Sequence, residues 1–132
     1  MILVDSSVWI DFLNGQNSLE RLALRKLINK SAKITITDIV VTEVLQGIKR
    51  ESDFEAVKTF FEKLPIQRAK STETYVNAAR IYRSCRSRGK TIRRTIDCVI
   101  AAICIENNIP ILHKDSDFDL IASCTELQVL SV

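Results

Sequence analysis

The first seven residues, M-I-L-V-D-S-S, place the apolar run Ile2 to Val4 directly before Asp5. A short continuous apolar run is typical of a strand that is buried on both faces. Ser6 and Ser7 supply capping chemistry for a following helix, which we expect to continue through Leu13. This order of strand, acid and helix predicts a parallel sheet with a carboxylate at a strand end.

Strands and helices continue to alternate along the chain. Strand-like runs are followed or preceded by apolar residues at helical spacing, and the strands are predicted at 34–36, 66–67, 111–112 and 127–130. This alternation favours a parallel sheet with helices on both faces, in one domain that spans residues 1–132. Ligands of such sheets bind beyond the carboxyl ends of the strands.

Three helices are predicted in the C-terminal half of the chain. The helix over 72–88 should bury Tyr75, Ala79, Tyr82 and Cys85, and its other side carries arginines. Thr95 is the predicted cap of the next helix, which runs through residue 106. A shorter helix is predicted over 118–122.

The composition is that of an ordinary globular domain. Apolar residues make up 46% and charged residues 27% of the 132 residues, with a net charge of +3. The longest apolar run, Cys98 to Ile105, is too short to cross a bilayer, and Asp5 precedes any cationic segment. We therefore expect no membrane anchor or signal peptide and a cytoplasmic location. The four cysteines lack C-x-x-C spacing, which indicates reduced core residues.

Four acids lie in otherwise apolar surroundings: Asp5, Glu43, Asp97 and Asp115. Buried carboxylates are rarely stable alone. If the fold gathers these four, each pair at ~5 Å repels by roughly 3 kcal/mol at an effective dielectric of about 20. A positive charge must therefore lie among them. With one histidine and no paired cysteine motif, the predicted site is all oxygen, which suits Mg²⁺ or Mn²⁺.

The segments around these acids form an ordered set of motifs: V-D-S-S, T-D-I-V-V-T-E-V, R-R-T-I-D-C-V-I-A-A and L-H-K-D-S-D-F. Together they resemble PIN-domain ribonucleases, specifically VapC-type toxins of toxin–antitoxin pairs, over nearly the whole chain. The resemblance implies an α/β/α sandwich with a mostly parallel central sheet and metal-dependent cleavage of RNA phosphodiester bonds. It also implies a homodimer that a separate, small VapB-type antitoxin inhibits.

The resemblance also assigns roles to individual residues. Asp5 matches the first metal-binding aspartate, and Ser6 matches the small hydroxyl residue that follows it and supports it. The candidate catalytic acids are Asp5, Glu43, Asp97 and Asp115, and the candidate metal ligands are Asp5, Asp97, Asp115 and Asp117. Carboxylate-bound cations can activate water and stabilise the leaving oxygen of a phosphodiester. We take Asp5 and Asp97 as the principal ligands.

A basic strip precedes Asp97. Seven cations occur between residues 80 and 94 without an acid among them, which favours contact with a nucleic-acid backbone. An ordinary solvated helix face is the alternative interpretation. The candidate RNA-binding residues are Arg80, Arg83, Arg86, Lys90, Arg93 and Arg94, with Arg93 the leading candidate.

Other interpretations remain open at this point. Singly, each acid has a local explanation: a helix cap for Asp5, a solvated surface residue for Glu43, an early-turn acid for Asp97 and a turn for Asp115. The whole chain could be a noncatalytic RNA-binding or protein-interaction module that keeps the fold. A receiver-like phosphoacceptor domain would need a lysine at a late strand end, and Lys114 is a candidate.

Two ring-bearing residues outside the acidic set also need an interpretation. Trp9 lies among apolar residues and is expected to pack or to contact another subunit. His113 is expected to form hydrogen bonds in a strand-to-loop turn, because no second histidine exists for a metal-free ribonuclease mechanism.

Overall fold

The computed structural model describes residues 1–132 and contains four strands and seven helices in alternation. The strands are β1 (Ile2–Val4), β2 (Ile34–Thr37), β3 (Ile66–Gln67) and β4 (Ile111–Leu112). The helices are α1 (Ser6–Asn14), α2 (Leu19–Asn29), α3 (Asp38–Leu45), α4 (Glu51–Glu62), α5 (Thr72–Ser87), α6 (Thr95–Asn107) and α7 (Ser116–Cys124).

The four strands form one parallel sheet in the order β3-β2-β1-β4. Val4 pairs with Leu112, so the ends of β1 and β4 lie side by side. The predicted strand over 127–130 was wrong, since only a single bridge joins Val129 to Ile111. This segment meets β4 only at Ile111, whose N–H donates to the Gln128 carbonyl and whose carbonyl accepts from the Leu130 N–H.

Helices cover the sheet in two groups. On one side α1 contacts α2 and α3, and α3 contacts α4; on the other, α5, α6 and α7 contact one another. Helix α6 is the most enclosed, because every residue from Asp97 to Cys104 is buried. This arrangement confirms the predicted α/β/α sandwich and places the first turn of α6 inside the protein.

The predicted buried side of α5 was correct at Cys85, partly correct at the half-buried Tyr82, and displaced by one residue at Tyr75 and Ala79. The side chains that face the core are those of Thr74, Ala78, Ile81 and Cys85, whereas Tyr75 is 55% exposed. Both sets follow helical spacing, so periodicity alone could not separate them. Packing against α6 selected the set with the aliphatic Ile81 and left the phenol group of Tyr75 in solvent.

The starts of two helices also differ from prediction. Thr95 is the first residue of α6 and Arg94 holds the cap position, without a capping side-chain hydrogen bond. Helix α7 begins at Ser116, earlier than predicted, because the Asp115 carboxylate accepts a hydrogen bond from the Asp117 N–H at 2.9 Å. Helix α3 is capped by Thr37, whose hydroxyl accepts from the Val40 N–H at 3.2 Å.

Trp9 packs inside the fold. Its ring makes edge contacts with Phe12, Phe60 and Phe61 at centroid distances of 6.2, 5.7 and 5.2 Å. The cysteines are all free, and Cys85, Cys98 and Cys104 are buried, as core residues. None of the helices combines the length and apolar composition that a membrane crossing requires.

The packing of α5 generates a stability prediction. Ile81→Ala should lower the free energy of unfolding by about 2–4 kcal/mol, because it removes buried methyl groups and leaves a cavity. Tyr75→Ala should cost about 1 kcal/mol or less, since it changes an exposed side chain. Urea denaturation of the two variants measures both values. A larger loss for Tyr75→Ala than for Ile81→Ala would contradict the observed orientation of α5.

Candidate metal centre

The predicted acids converge at the carboxyl edge of the sheet. Asp5 directly follows β1, and Asp115 follows β4, its neighbour in the sheet. The Asp5 N–H donates to the Leu112 carbonyl at 3.0 Å, which fixes the first acid against the end of β4. Asp97 lies in the first turn of α6, and Glu43 lies in α3, which follows β2. Asp5 and Asp115 also cap α1 and α7, so each has a local role in addition to its place among the converging acids.

Three of these carboxylates lie close enough to share one cation. Asp97, Asp115 and Asp117 each offer an oxygen atom, and these atoms all lie within 4.8 Å of one another. Asp97 and Asp117 are 1% exposed, so neither is an ordinary surface acid. Asp5 lies outside this group of three but is close enough for its charge to raise the pKa of Asp97. Asp117, which the sequence placed among the candidate metal ligands but not among the candidate catalytic acids, is thus one of the three members of the cluster.

Asp5 is held by Ser7 rather than by the side chain of Ser6. Its Oδ2 accepts from the Ser7 hydroxyl at 2.7 Å and from the Ser7 N–H at 3.2 Å. Burial raises the pKa of Asp5, while these bonds and the Ser6 backbone oppose the rise. The capping rule could have predicted the contact with Ser7, because a carboxylate at the N-cap accepts a hydrogen bond from the N–H two or three residues further along the chain. The proposed supporting role of the Ser6 hydroxyl stays a prediction.

Asp97 is the most perturbed acid of the cluster. Its pKa is raised to about 8, mainly by burial and also by the charges of Asp115, Asp5 and Asp117, against the lowering effect of the Arg94 charge. Its Oδ2 and the Oε1 of Glu43 are buried without a hydrogen-bond partner. Leaving such oxygens unpaired is costly, and a cation held by Asp97, Asp115 and Asp117 would satisfy the Asp97 oxygen. The donor set therefore fits a hard divalent cation.

Two arginines of the basic strip lie against the acids. Arg93 pairs with Asp115 at 3.2 Å and with Asp117 at 3.4 Å, and its backbone N–H also donates to Asp117 at 3.2 Å. Arg94 Nη2 donates a hydrogen bond to Glu43 Oε2. Its Nη2 lies 4.0 Å from Asp97 Oδ1 and its Nη1 lies 3.9 Å from Asp115 Oδ2.

The acids around Arg94 alter its own ionisation. Burial disfavours the charged guanidinium, yet the pKa of Arg94 is raised because Asp97, Glu43 and Asp5 favour the cation more strongly. The guanidinium thus provides part of the positive charge that the cluster of carboxylates requires.

The rest of the basic strip lies away from the acids. Arg80, Arg83 and Arg86 line an exposed hollow on α5. Arg80 bonds Glu73 at 3.1 Å, so an acid from outside the strip partly neutralises it. It lies beside Ile105, which is roughly 12 Å along the axis of α6 from Asp97 at 1.5 Å per residue. Lys90 donates to the Ser123 hydroxyl. The strip is therefore not one continuous row at the site.

Two further residues at the end of β4 have local partners. Lys114 donates to Asp11 at 2.6 Å, and this hydrogen bond lowers the pKa of Asp11. His113 Nε2 lies 3.2 Å from an Asp119 oxygen, whereas its Nδ1 is buried without a hydrogen-bond partner, so the expected hydrogen bonding of this side chain stays a prediction. Since Lys114 is engaged by α1, it does not provide the cation that a receiver-like phosphoacceptor site would need.

Comparison with known proteins places these features in a family. The sequence model of the PIN-domain family matches residues 2–123 of this chain. Ribonuclease VapC11 of Mycobacterium tuberculosis is 33% identical, and the match covers 99% of this chain and 98% of the relative. A VapC ribonuclease of Mycobacterium bovis matches with the same identity and coverage.

Solved structures show the same fold at lower identity. A chain of VapBC2 from Rickettsia felis, bound to a DNA fragment from their promoter, superposes with a TM-score of 0.74 at 18% identity over 98% of both chains. A chain of FitAB bound to the IR36 DNA fragment has a TM-score of 0.71 at 19% identity, over 98% of this chain and 94% of the other. The resemblance drawn from the four sequence motifs is thus confirmed, and the chain belongs to the PIN-domain family, in its group of VapC ribonucleases.

Proposed function

We propose that this protein is a ribonuclease toxin that requires Mg²⁺ or Mn²⁺ and hydrolyses RNA phosphodiester bonds. The observation that carries the proposal is the buried group of Asp97, Asp115 and Asp117, bordered by unpartnered oxygens and by two arginines. The names of the relatives, which are VapC ribonucleases, support RNA as the substrate. The proposal takes residues 1–132 as one PIN domain.

Asp97, Asp115 and Asp117 would hold the cation, with Asp5 beside them. A divalent cation in this position supplies Lewis acidity and lowers the pKa of water at the scissile phosphate. It also reverses the local preference for a protonated Asp97, because a nearby positive charge favours the carboxylate. Oxygens that share one Mg²⁺ lie at most ~4.2 Å apart, so a small inward shift of these side chains is sufficient.

The remaining residues position the substrate and the acids. Ser7 orients the Asp5 carboxylate, and Arg94 holds Glu43 at the border of the site. Arg93, with a side chain that is 69% exposed, is placed to contact a phosphate that approaches Asp115. A cationic border of this kind offsets the repulsion between an acidic site and a polyanion.

The partners of the protein belong to the same proposal. The solved relatives are components of VapBC and FitAB assemblies, which supports an antitoxin of the VapB type as the inhibitor. An apolar groove formed by Ile10, Leu13, Val44 and Ile48 is a suitable surface for a partner segment. The exposed Tyr75 and Val76 of α5 are candidates for a homodimer contact. We propose that the protein meets the antitoxin and its second copy in the cytoplasm.

Replacement of single carboxylates tests the activity. Asp5→Asn and Asp97→Asn should each reduce RNA cleavage by at least about 100-fold, since loss of residues that merely support a metal ligand already costs 10–100-fold. The measurement is cleavage of labelled RNA with Mg²⁺ or Mn²⁺. The matched control is Asp53→Asn, which changes an exposed acid of α4 and should keep full activity.

The same assay separates catalysis from the noncatalytic alternative. Addition of a chelator should stop cleavage by the unmodified protein, and excess Mg²⁺ should restore it. RNA binding without any metal-dependent cleavage would favour a noncatalytic RNA-binding module. Full activity of either active-site variant would refute the assignment of that residue.

The raised pKa of Asp97 predicts how stability varies with pH in a chelator. Because its pKa is about 8 in the folded protein, against an ordinary value of 3.8, the folded state binds more protons than the unfolded state. The free energy of unfolding should therefore fall as the pH rises from about 4 to 8, by on the order of a few kcal/mol.

Asp97→Asn should remove most of this pH dependence, since the amide does not ionise. At pH 8 with chelator the variant should melt at a higher temperature than the unmodified protein, and added Mn²⁺ should stabilise only the latter. Melting curves by circular dichroism at several pH values measure this. Parallel pH profiles for the two proteins would argue against a titrating Asp97.

The exposed Arg93 generates a prediction for RNA binding. Arg93→Ala should weaken the affinity and reduce the slope of log K against log salt by about 1, because one phosphate contact is lost. Lys58→Ala, which changes a lysine paired with Glu55 and Glu62 on α4, is the control of equal charge. Fluorescence anisotropy at several salt concentrations gives both slopes, and equal slopes would remove Arg93 from the RNA contact.

A further inference from the structure

Arg94 lies where the charges of the candidate metal centre converge. Its guanidinium touches Glu43 and approaches Asp97 and Asp115 to 4.0 and 3.9 Å. Asp97 and Asp115 are also two of the three carboxylates that fit a divalent cation. The guanidinium and a metal ion would thus draw on the same acids from nearly the same position.

Two cations cannot share these acids without cost. A divalent ion bound by Asp97 and Asp115 would lie close to the guanidinium, and like charges at such a distance repel, the more strongly because the Asp97 and Asp115 side chains are only 2% and 14% exposed. The charge that already neutralises the acids therefore opposes metal entry. Metal binding should be weaker than the number of carboxylates alone suggests.

The backbone around Arg94 leaves its side chain free to move. Arg94 precedes the first residue of α6 and does not cap that helix with its side chain, so α6 does not depend on the position of the guanidinium. The side chain is 46% exposed, which opens a path towards solvent. Glu43 lies outside the group of three acids and offers the guanidinium an anchor that metal binding does not remove.

We propose that Arg94 is a built-in competitor of the divalent cation and sets the metal affinity of the site. Its guanidinium neutralises Asp97 and Asp115 until a metal ion displaces it towards Glu43 and solvent, where it can meet the RNA backbone. This inference rests on the proposed function, because it requires a metal site at Asp97, Asp115 and Asp117.

Arg93 supplies an internal comparison. It also pairs with Asp115 and Asp117, but its side chain is 69% exposed against 46% for Arg94, so solvent screens its charge more strongly. Arg93 also lies at the outer side of the cluster, without an ion pair to Asp97. Its removal should therefore affect metal affinity less than removal of Arg94.

The test is the Mn²⁺ dissociation constant of the RNA-free full-length protein, measured by electron paramagnetic resonance of free Mn²⁺. Arg94→Gln should bind Mn²⁺ at least about 5-fold more tightly than the unmodified protein, the lower end of typical coupling between two sites. Arg93→Gln should give a smaller gain. Arg83→Gln makes the same charge change on the exposed face of α5 and should stay within about 2-fold.

A second variant and a second signal guard against a folding defect. Arg94→Lys keeps the charge but loses the planar fork, so its Mn²⁺ affinity should lie between those of the unmodified protein and Arg94→Gln. In nuclear magnetic resonance spectra, the Nε–Hε signal of Arg94, identified by its loss in Arg94→Gln, should shift when Mg²⁺ is added to the unmodified protein. An unmoved signal at saturating Mg²⁺ would overturn the proposal.

Asp97→Asn separates the two proposals. If this variant loses Mn²⁺ binding while Arg94→Gln binds no more tightly than Arg83→Gln, or binds more weakly, the competition is wrong and the metal site stands. If Asp97→Asn binds Mn²⁺ as the unmodified protein does, the metal site is wrong, and the competition is wrong with it.

Discussion

Repulsion among carboxylates at one edge of the sheet is the constraint on which the rest of the site depends. A pair of unit charges at ~5 Å repels by roughly 3 kcal/mol at a dielectric of about 20, while a small domain has about 5–15 kcal/mol of stability in total. The structure opposes this repulsion with the guanidinium groups of Arg93 and Arg94 and with a hydroxyl from Ser7. The N-termini of α1, α6 and α7 add partial positive charge at the same edge.

The order of the strands creates this crowding. Because β1 lies between β2 and β4, Asp5 has the acids that follow β4 on one side and α3, with Glu43, after β2 on the other. Helix α6 adds Asp97 to these acids, and the carboxylate of Asp97 is buried and has almost no access to solvent. The same enclosure raises the pKa of Asp97 to about 8 and leaves one of its oxygens without a partner. The proposed cation would offset this cost, because its charge favours the ionised carboxylates.

The basic strip divides into two parts with different physical roles. Arg93 and Arg94 are bound up with the acids, so their charges belong to the metal centre before any substrate arrives. Arg83 and Arg86 face solvent on α5, and Arg80 is partly neutralised by Glu73. Charge that is already paired contributes less to long-range attraction than the net composition suggests. The surface therefore carries a small cationic border close to the acids and a second, separate patch on α5.

The sequence by itself determined the alternation of strands and helices and the ordered acidic motifs, because apolar runs and helical spacing act over a few neighbouring positions. It did not determine which face of α5 is buried, how little of 127–130 pairs with β4, or that Ser7 holds Asp5. Tertiary structure alone decided that Arg94, expected to serve RNA, lies against Glu43, Asp97 and Asp115. These outcomes depend on contacts between residues that are distant in the chain, where packing and charge choose among arrangements that local patterns leave equally acceptable.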